Sequence, residues 1–112
     1  MDVLFAAIPV SRFHRAVEWY SQFFGRAADI VVHDHEVMWR VTVSGWLYVL
    51  EDSDRAGHGL VTIAVPDLDA ALRELAARGI DAGPIEEVGD AAHKAKVIDP
   101  DGNEVALIHV TA

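Results

Sequence analysis

A chain of 112 residues with 52% hydrophobic side chains has enough apolar material for one core and too little length for two comfortable domains. Its formal charge of −9, from nine Lys and Arg against eighteen Asp and Glu, repels phosphate backbones and anionic lipid. That balance argues against nucleic acid or a membrane surface as partner. Without cysteine there is no disulfide, thiolate nucleophile or cysteine-zinc site, and a cytoplasmic location fits.

Met1 to Pro9 carries no basic leader, and its apolar run is too short for a signal peptide or a membrane span, so it is expected to belong to the fold. A β-type run, Val3 to Val10, opens the chain. Ser11 or Arg12 then starts a helix whose apolar stripe is Phe13, Ala16, Val17 and Tyr20, and Gly25 ends it. Three runs that read as strands follow: Asp29 to His33, Val37 to Val43 and Trp46 to Glu51. Val43-Ser44-Gly45-Trp46 supplies turn chemistry between the last two. Asp52 to Gly59, with two glycines and several polar residues, reads as a linker.

The pattern then starts again. Ile8, Val10, Phe13, Ala16, Val17 and Tyr20 recur as Ile63, Val65, Leu68, Ala71, Leu72 and Leu75, every pair at one and the same offset. In this second copy Leu60 to Val65 is the strand, Asp67 the N-cap, and Gly79 the left-handed residue that closes the helix. The later strands are expected at Asp81 to Val88, Lys94 to Asp99 and Glu104 to Val110, with Asp99-Pro100-Asp101-Gly102-Asn103 as a turn. The expected fold class is therefore α+β: two tandem βαβββ modules forming a curved mixed-sheet cup, with helices on the outer face and a shared cleft inside. Module 1 is placed at about 1–52, the linker at about 53–58 and module 2 at about 59–112 of a single domain.

The Ile63-Ala64-Val65-Pro66-Asp67-Leu68 approach to a helix, the closing Asp99-Pro100-Asp101-Gly102-Asn103-Glu104 turn and the duplicated βαβββ order resemble the vicinal oxygen chelate superfamily of glyoxalases, bleomycin-resistance proteins and extradiol dioxygenases. The resemblance covers essentially the whole chain. It implies a homodimer and, in the enzymes, a divalent metal held by His, Glu or Gln from the first and last strand of each module. Counted from the helices and the turns, those four seats fall here on Phe5, Tyr48, Leu60 and Ala106. Phe5, Leu60 and Ala106 cannot coordinate a metal, and a phenol with a pKa of about 10 is a poor ligand near neutral pH. No metal or other cofactor is therefore expected, with a divalent metal as the alternative should the count slip. His58 and Glu104, each two residues from a seat, would then form half of such a site, with its other ligands coming from elsewhere.

In place of a metal, the cleft is expected to present Phe5, Trp39, Trp46, Tyr48, Leu60 and Ala106 to a ligand, with His58, His93 and Glu104 as possible polar contacts. Trp46 and Tyr48 share a strand face by alternation, and aromatic rings there can stack on a planar or cationic compound. His33-Asp34-His35-Glu36 could chelate a metal if extended, but it falls where one strand turns into the next and reads as a solvated hairpin tip. His14 and His109 read as structural or exposed. Neither a phosphate-cradling glycine loop nor a Gly-x-Ser-x-Gly elbow is present.

The leading expectation is a metal-free protein that sequesters an aromatic or cationic small molecule, as in the antibiotic-binding branch of the superfamily. Two alternatives stay open. One is a lyase, isomerase or dioxygenase, so catalysis is undecided at this point and no catalytic residue is named. The other is a dimeric interaction module with its cleft packed shut.

Overall fold

The computed structural model describes residues 1–111; Ala112, the last residue of the expected second module, lies outside the described residues. The first module runs β1 (Leu4–Val10), α1 (Phe13–Phe24), β2 (Ile30–His33), β3 (Glu36–Thr42) and β4 (Gly45–Glu51). The second repeats it as β5 (Leu60–Ala64), α2 (Leu68–Ala77), β6 (Glu86–Val88), β7 (Ala92–Ile98) and β8 (Glu104–Val110). Each module is a four-stranded mixed sheet, ordered β1-β4-β3-β2 and β5-β8-β7-β6. In both, the first strand pairs in parallel with the last, and the remaining pairs are antiparallel.

The duplication is visible in the helix starts, since Phe13 and Leu68, which correspond in the sequence repeat, each open the helix of their module. The spacing then drifts, because Val43 and Ser44 join β3 to β4 whereas the longer stretch Asp99 to Asn103 joins β7 to β8. One expected strand is much shorter than the sequence suggests. Asp81 to Ile85 do not pair as a strand, and β6 holds only three residues. Pro84 has no N–H to give a ladder, and Gly83 makes the one backbone bond in this stretch, its N–H donating to the Lys96 carbonyl at 2.8 Å.

Each helix lies on its sheet through the apolar stripe read from the sequence. Phe13, Ala16, Tyr20 and Phe23 of α1 and Leu68 and Leu75 of α2 are buried. They meet Ile8, Val10, Val37, Trp39, Leu47 and Val49 of the first sheet and Ala95, Val97, Val105 and Leu107 of the second in one continuous core. The Asp67 carboxylate caps α2 by accepting from the Ala70 N–H at 3.0 Å. Arg12 caps α1 without a side-chain bond, since Ser11 is turned away to donate through both its N–H and its hydroxyl to the Asp101 carboxylate. Gly25 and Gly79 follow the helices with φ of 72° and 83°, left-handed values that glycine adopts without strain.

A buried polar clasp joins the modules. Asp99, 4% exposed, accepts at Oδ1 from the N–H groups of Asp101 and Asn103, both at 2.9 Å. Its Oδ2 accepts from the Tyr20 hydroxyl and from Asn103 Nδ2, both at 2.8 Å. Asn103 is fully buried; its Nδ2 also donates to the Pro9 carbonyl at 2.8 Å, and its Oδ1 accepts from the Gly59 N–H at 2.7 Å. Away from this cluster, the Arg78 guanidinium donates to the carbonyls of Gln22 and Phe23 at 2.5 and 2.8 Å, setting a cation of the second module on the C-terminus of α1.

Burial, the neighbouring Asp99 charge and the hydrogen bond to it all raise the Tyr20 pKa above the ordinary phenol value. A raised pKa stabilises the fold fully below the unfolded value of about 10, and that contribution falls as pH climbs above it. Tyr20→Phe leaves Asp99 one donor short and should cost about 1.5–3 kcal/mol in urea unfolding at neutral pH. The wild type should lose more stability than the variant between pH 10 and 11, so that the two curves converge.

Candidate functional site

Alternation along β4 decides what the first sheet exposes. Leu47 and Val49 are buried against α1, which turns Trp46, Tyr48 and Leu50 to the opposite, open face. Phe5 lies beside Trp46 in the parallel register, and their rings stack with centroids 6.4 Å apart and planes inclined by 27°. Ala7 pairs with Tyr48 in the same way. Ala7, Pro9, Tyr48 and Leu50 floor an open hollow of about 440 Å³, whose rim is Asp52, Asp54, Arg55, His58 and Gly59. The hollow is thus apolar at its base and mixed in charge at its lip, the composition of a small-molecule site.

The lip is preshaped. Asp52 accepts from the Arg55 N–H at 3.3 Å in a tight turn, with the Arg55 guanidinium 3.7 Å from its carboxylate. Gly57 has a φ of 86°, and a Cβ there would come within 2.6 Å of the Asp101 carbonyl oxygen. That position admits glycine alone without displacing the β7–β8 turn.

The structure separates the expected site residues. Phe5, Trp46 and Tyr48 share the open face of the first sheet, and His58 joins Tyr48 at the hollow. Leu60, Glu104 and Ala106 lie on the equivalent face of the second sheet, where Leu60 pairs with Glu104 and Thr62 with Ala106. Leu60 is 72% exposed there, whereas Ala106, between Thr62 and Lys96 in the ladder, is fully buried. Trp39 does not belong with the group. It pairs with Leu47, so both point into the core; it is fully buried against Tyr20 and Phe24, and its Nε1 donates to the Arg26 carbonyl at 3.1 Å. Its alternation parity is opposite to that of Trp46 and Tyr48. His93 is also on the other side, because it shares its face with the buried Ala95 and Val97.

The place of Asp52, Asp54 and Arg55 at the lip of the hollow is not legible in the sequence, since a polar segment with glycines looks like any linker. His33 and His35 do form a hairpin tip. The His33 Nδ1 accepts from the His35 N–H at 3.1 Å, and the two imidazoles lie 3.8 and 3.4 Å from the carboxylates of Glu36 and Glu51. At the opposite end of β2, the Asp29 carboxyl is held below its usual pKa, first by the Arg40 N–H and then by Arg26.

Residues 3–107 match the family described as the Glyoxalase/Bleomycin resistance protein/Dioxygenase superfamily. The chain belongs to that superfamily. A glyoxalase/bleomycin resistance protein from Catenulispora acidiphila DSM 44928 is 34% identical, with a TM-score of 0.91 over 98% of this chain and 99% of that one. TnmS3, an antibiotic-binding protein from Streptomyces sp. CB03234, shares the fold at 21% identity and a TM-score of 0.77, covering 98% of this chain and 96% of its own. A lactoylglutathione lyase from Agrobacterium tumefaciens does so at 15% identity and a TM-score of 0.75, covering 96% and 92%. No curated protein matches the chain significantly.

The metal-bearing enzymes of this superfamily set a test for the four seats. The ladders make them equivalent in pairs. Phe5 and Leu60 stand at the same offset as the helix starts Phe13 and Leu68, and Tyr48 and Ala106 face Ala7 and Thr62, which correspond in the repeat. Three of the four side chains have no donor atom and the fourth is a phenol, so these residues do not fit a divalent ion. Among the described residues, no three His, Asp or Glu side chains come together as a metal-holding group.

The two faces predict opposite responses to truncation. Trp39→Ala empties the core under α1 and should cost about 3–5 kcal/mol in chemical denaturation, whereas Trp46→Ala should cost about 1 kcal/mol or less.

Proposed function

We propose that this protein binds and sequesters an aromatic or cationic small molecule, without a metal in the cleft and without catalysis. The observation that carries this reading is the hollow beside Tyr48: an apolar floor continued by the stacked Phe5 and Trp46, with Asp52 and Asp54 at its lip. Exposed aromatic rings accept a planar ligand by offset stacking, and Asp54 at the rim, beside the Arg55–Asp52 pair, favours a positive charge on it. The absence of donors at the metal seats removes the group on which the chemistry of the metal-bearing relatives depends. The antibiotic-binding TnmS3 shares this fold and is the precedent for a binding role.

The active species in this proposal is a homodimer. Phe5, Leu60 and Ile98, all on open sheet faces, are 52%, 72% and 53% exposed. These exposed apolar side chains are ones a second copy would cover, closing the open sheets over the ligand. The acidic charge and the lack of cysteine suit a protein of the cytoplasm whose partners are small molecules rather than nucleic acid or lipid. No helix of the described residues is long and apolar enough to cross a membrane.

A panel of planar aromatic cations, followed by quenching of tryptophan fluorescence, tests the binding site. Trp46→Ala should weaken a bound compound by roughly 2- to 10-fold, the worth of one stacking contact, while the unfolding midpoint stays near that of the wild type. Unchanged affinity would move the site elsewhere. Native mass spectrometry of the protein as isolated should show two chains, and a monomer at micromolar concentration would rule out the closed, dimeric cleft.

A further inference from the structure

On the helix side of the second sheet, away from the ligand hollow, His93 and His109 stand directly across from each other in the β7–β8 ladder. Both line a separate hollow of about 360 Å³, together with Pro66, Asp67, Leu68, Asp69 and Ile85. His93 is exposed and His109 half-buried, so the pair is open to solvent yet backed by the first turn of α2.

Tautomer chemistry distinguishes His109 from His33 of the β2–β3 hairpin. The His109 Nδ1 lies 3.1 Å from the Val65 carbonyl oxygen. A carbonyl only accepts, so Nδ1 carries the proton, and in the neutral ring the lone pair is left on Nε2. An N–H···O=C bond at one ring nitrogen is the arrangement that orients a metal-ligating histidine and raises its basicity. His33 is set the other way. Its Nδ1 accepts from a backbone N–H, so the neutral ring carries its proton on Nε2 and has no free lone pair to give.

We propose that His93 and His109 form a binding site for a divalent transition-metal ion of the kind imidazole prefers: nickel, copper or zinc. Cross-strand positions put the two Cα atoms about 5.5 Å apart, within the span that two imidazoles bridge through one ion. Asp67 and Asp69 place two carboxylates on the same hollow, which gives it the charge a cation needs. Asp67 spends one oxygen on the cap of α2, and among the described residues no three His, Asp or Glu side chains converge, so water fills the remaining positions and the site is a surface one. It shares no residue with the proposed ligand site and stands whether or not that reading holds.

Isothermal titration of untagged protein with nickel chloride tests it. One ion should bind per chain, and His93→Gln and His109→Gln should each lose that binding, while the double variant His33→Gln/His35→Gln keeps it. Binding that survives both single variants, or that disappears in the hairpin variant, overturns the proposal, as does the absence of binding in the wild type. Should His109→Gln fail to fold for want of its bond to Val65, the exposed His93→Gln carries the test alone. A long-range ¹H–¹⁵N spectrum of the metal-free protein gives an independent reading: His109 should appear protonated at Nδ1, and an Nε2-protonated ring would overturn the site.

Discussion

The Asp99 carboxylate is the point on which the two halves of this protein turn. A buried carboxylate survives only if its lone pairs are occupied, and here four donors meet it: two backbone N–H groups of its own turn, the Asn103 amide and the Tyr20 hydroxyl from the other module. Asn103 extends the same cluster to Pro9 and Gly59. The first strand, first helix, linker and last turn are thereby tied at one place, and no polar side-chain atom in it is left buried without a partner. Because charge-assisted bonds in a dry setting are directional, the clasp fixes how the halves meet more narrowly than apolar contact would.

Much of the architecture was legible in the chain because duplication repeats the same physical demands. A strand, a capped helix and three further strands recur because each module must bury one sheet face under one helix, and the stripe that does so returns in the second half at an unchanged spacing. The clasp was not legible. Asp99 to Asn103 reads as a turn from its residue types, and nothing local announces that its carboxylate meets a tyrosine 79 positions away. The strand expected from Asp81 to Val88 pairs only from Glu86 to Val88, because Pro84 denies the ladder a donor.

The site shows the same division between pattern and context. Phe5, Trp46 and Tyr48 share one open face, as expected, because period-two alternation is a strict geometric rule. Trp39 is aromatic like them, but the same rule, applied to β3, puts it beneath α1 beside Leu47. The rim residues Asp52, Asp54 and Arg55 owe their place to the path of the linker, which depends on a glycine pressed against the carbonyl of a distant turn. Such a contact has no signature in composition. His93 fell on the far side of its sheet because one residue of register reverses a strand's faces.

The linker joins this clasp to the hollow beside Tyr48 through a single short segment. His58 borders the hollow, and its neighbour Gly59 is bonded through its N–H to Asn103 and through its carbonyl to the Glu104 N–H. The wall of a cavity floored by the first module is therefore positioned by the second. A change in the closing turn of the second module is therefore expected to alter the shape of the hollow that the first module floors.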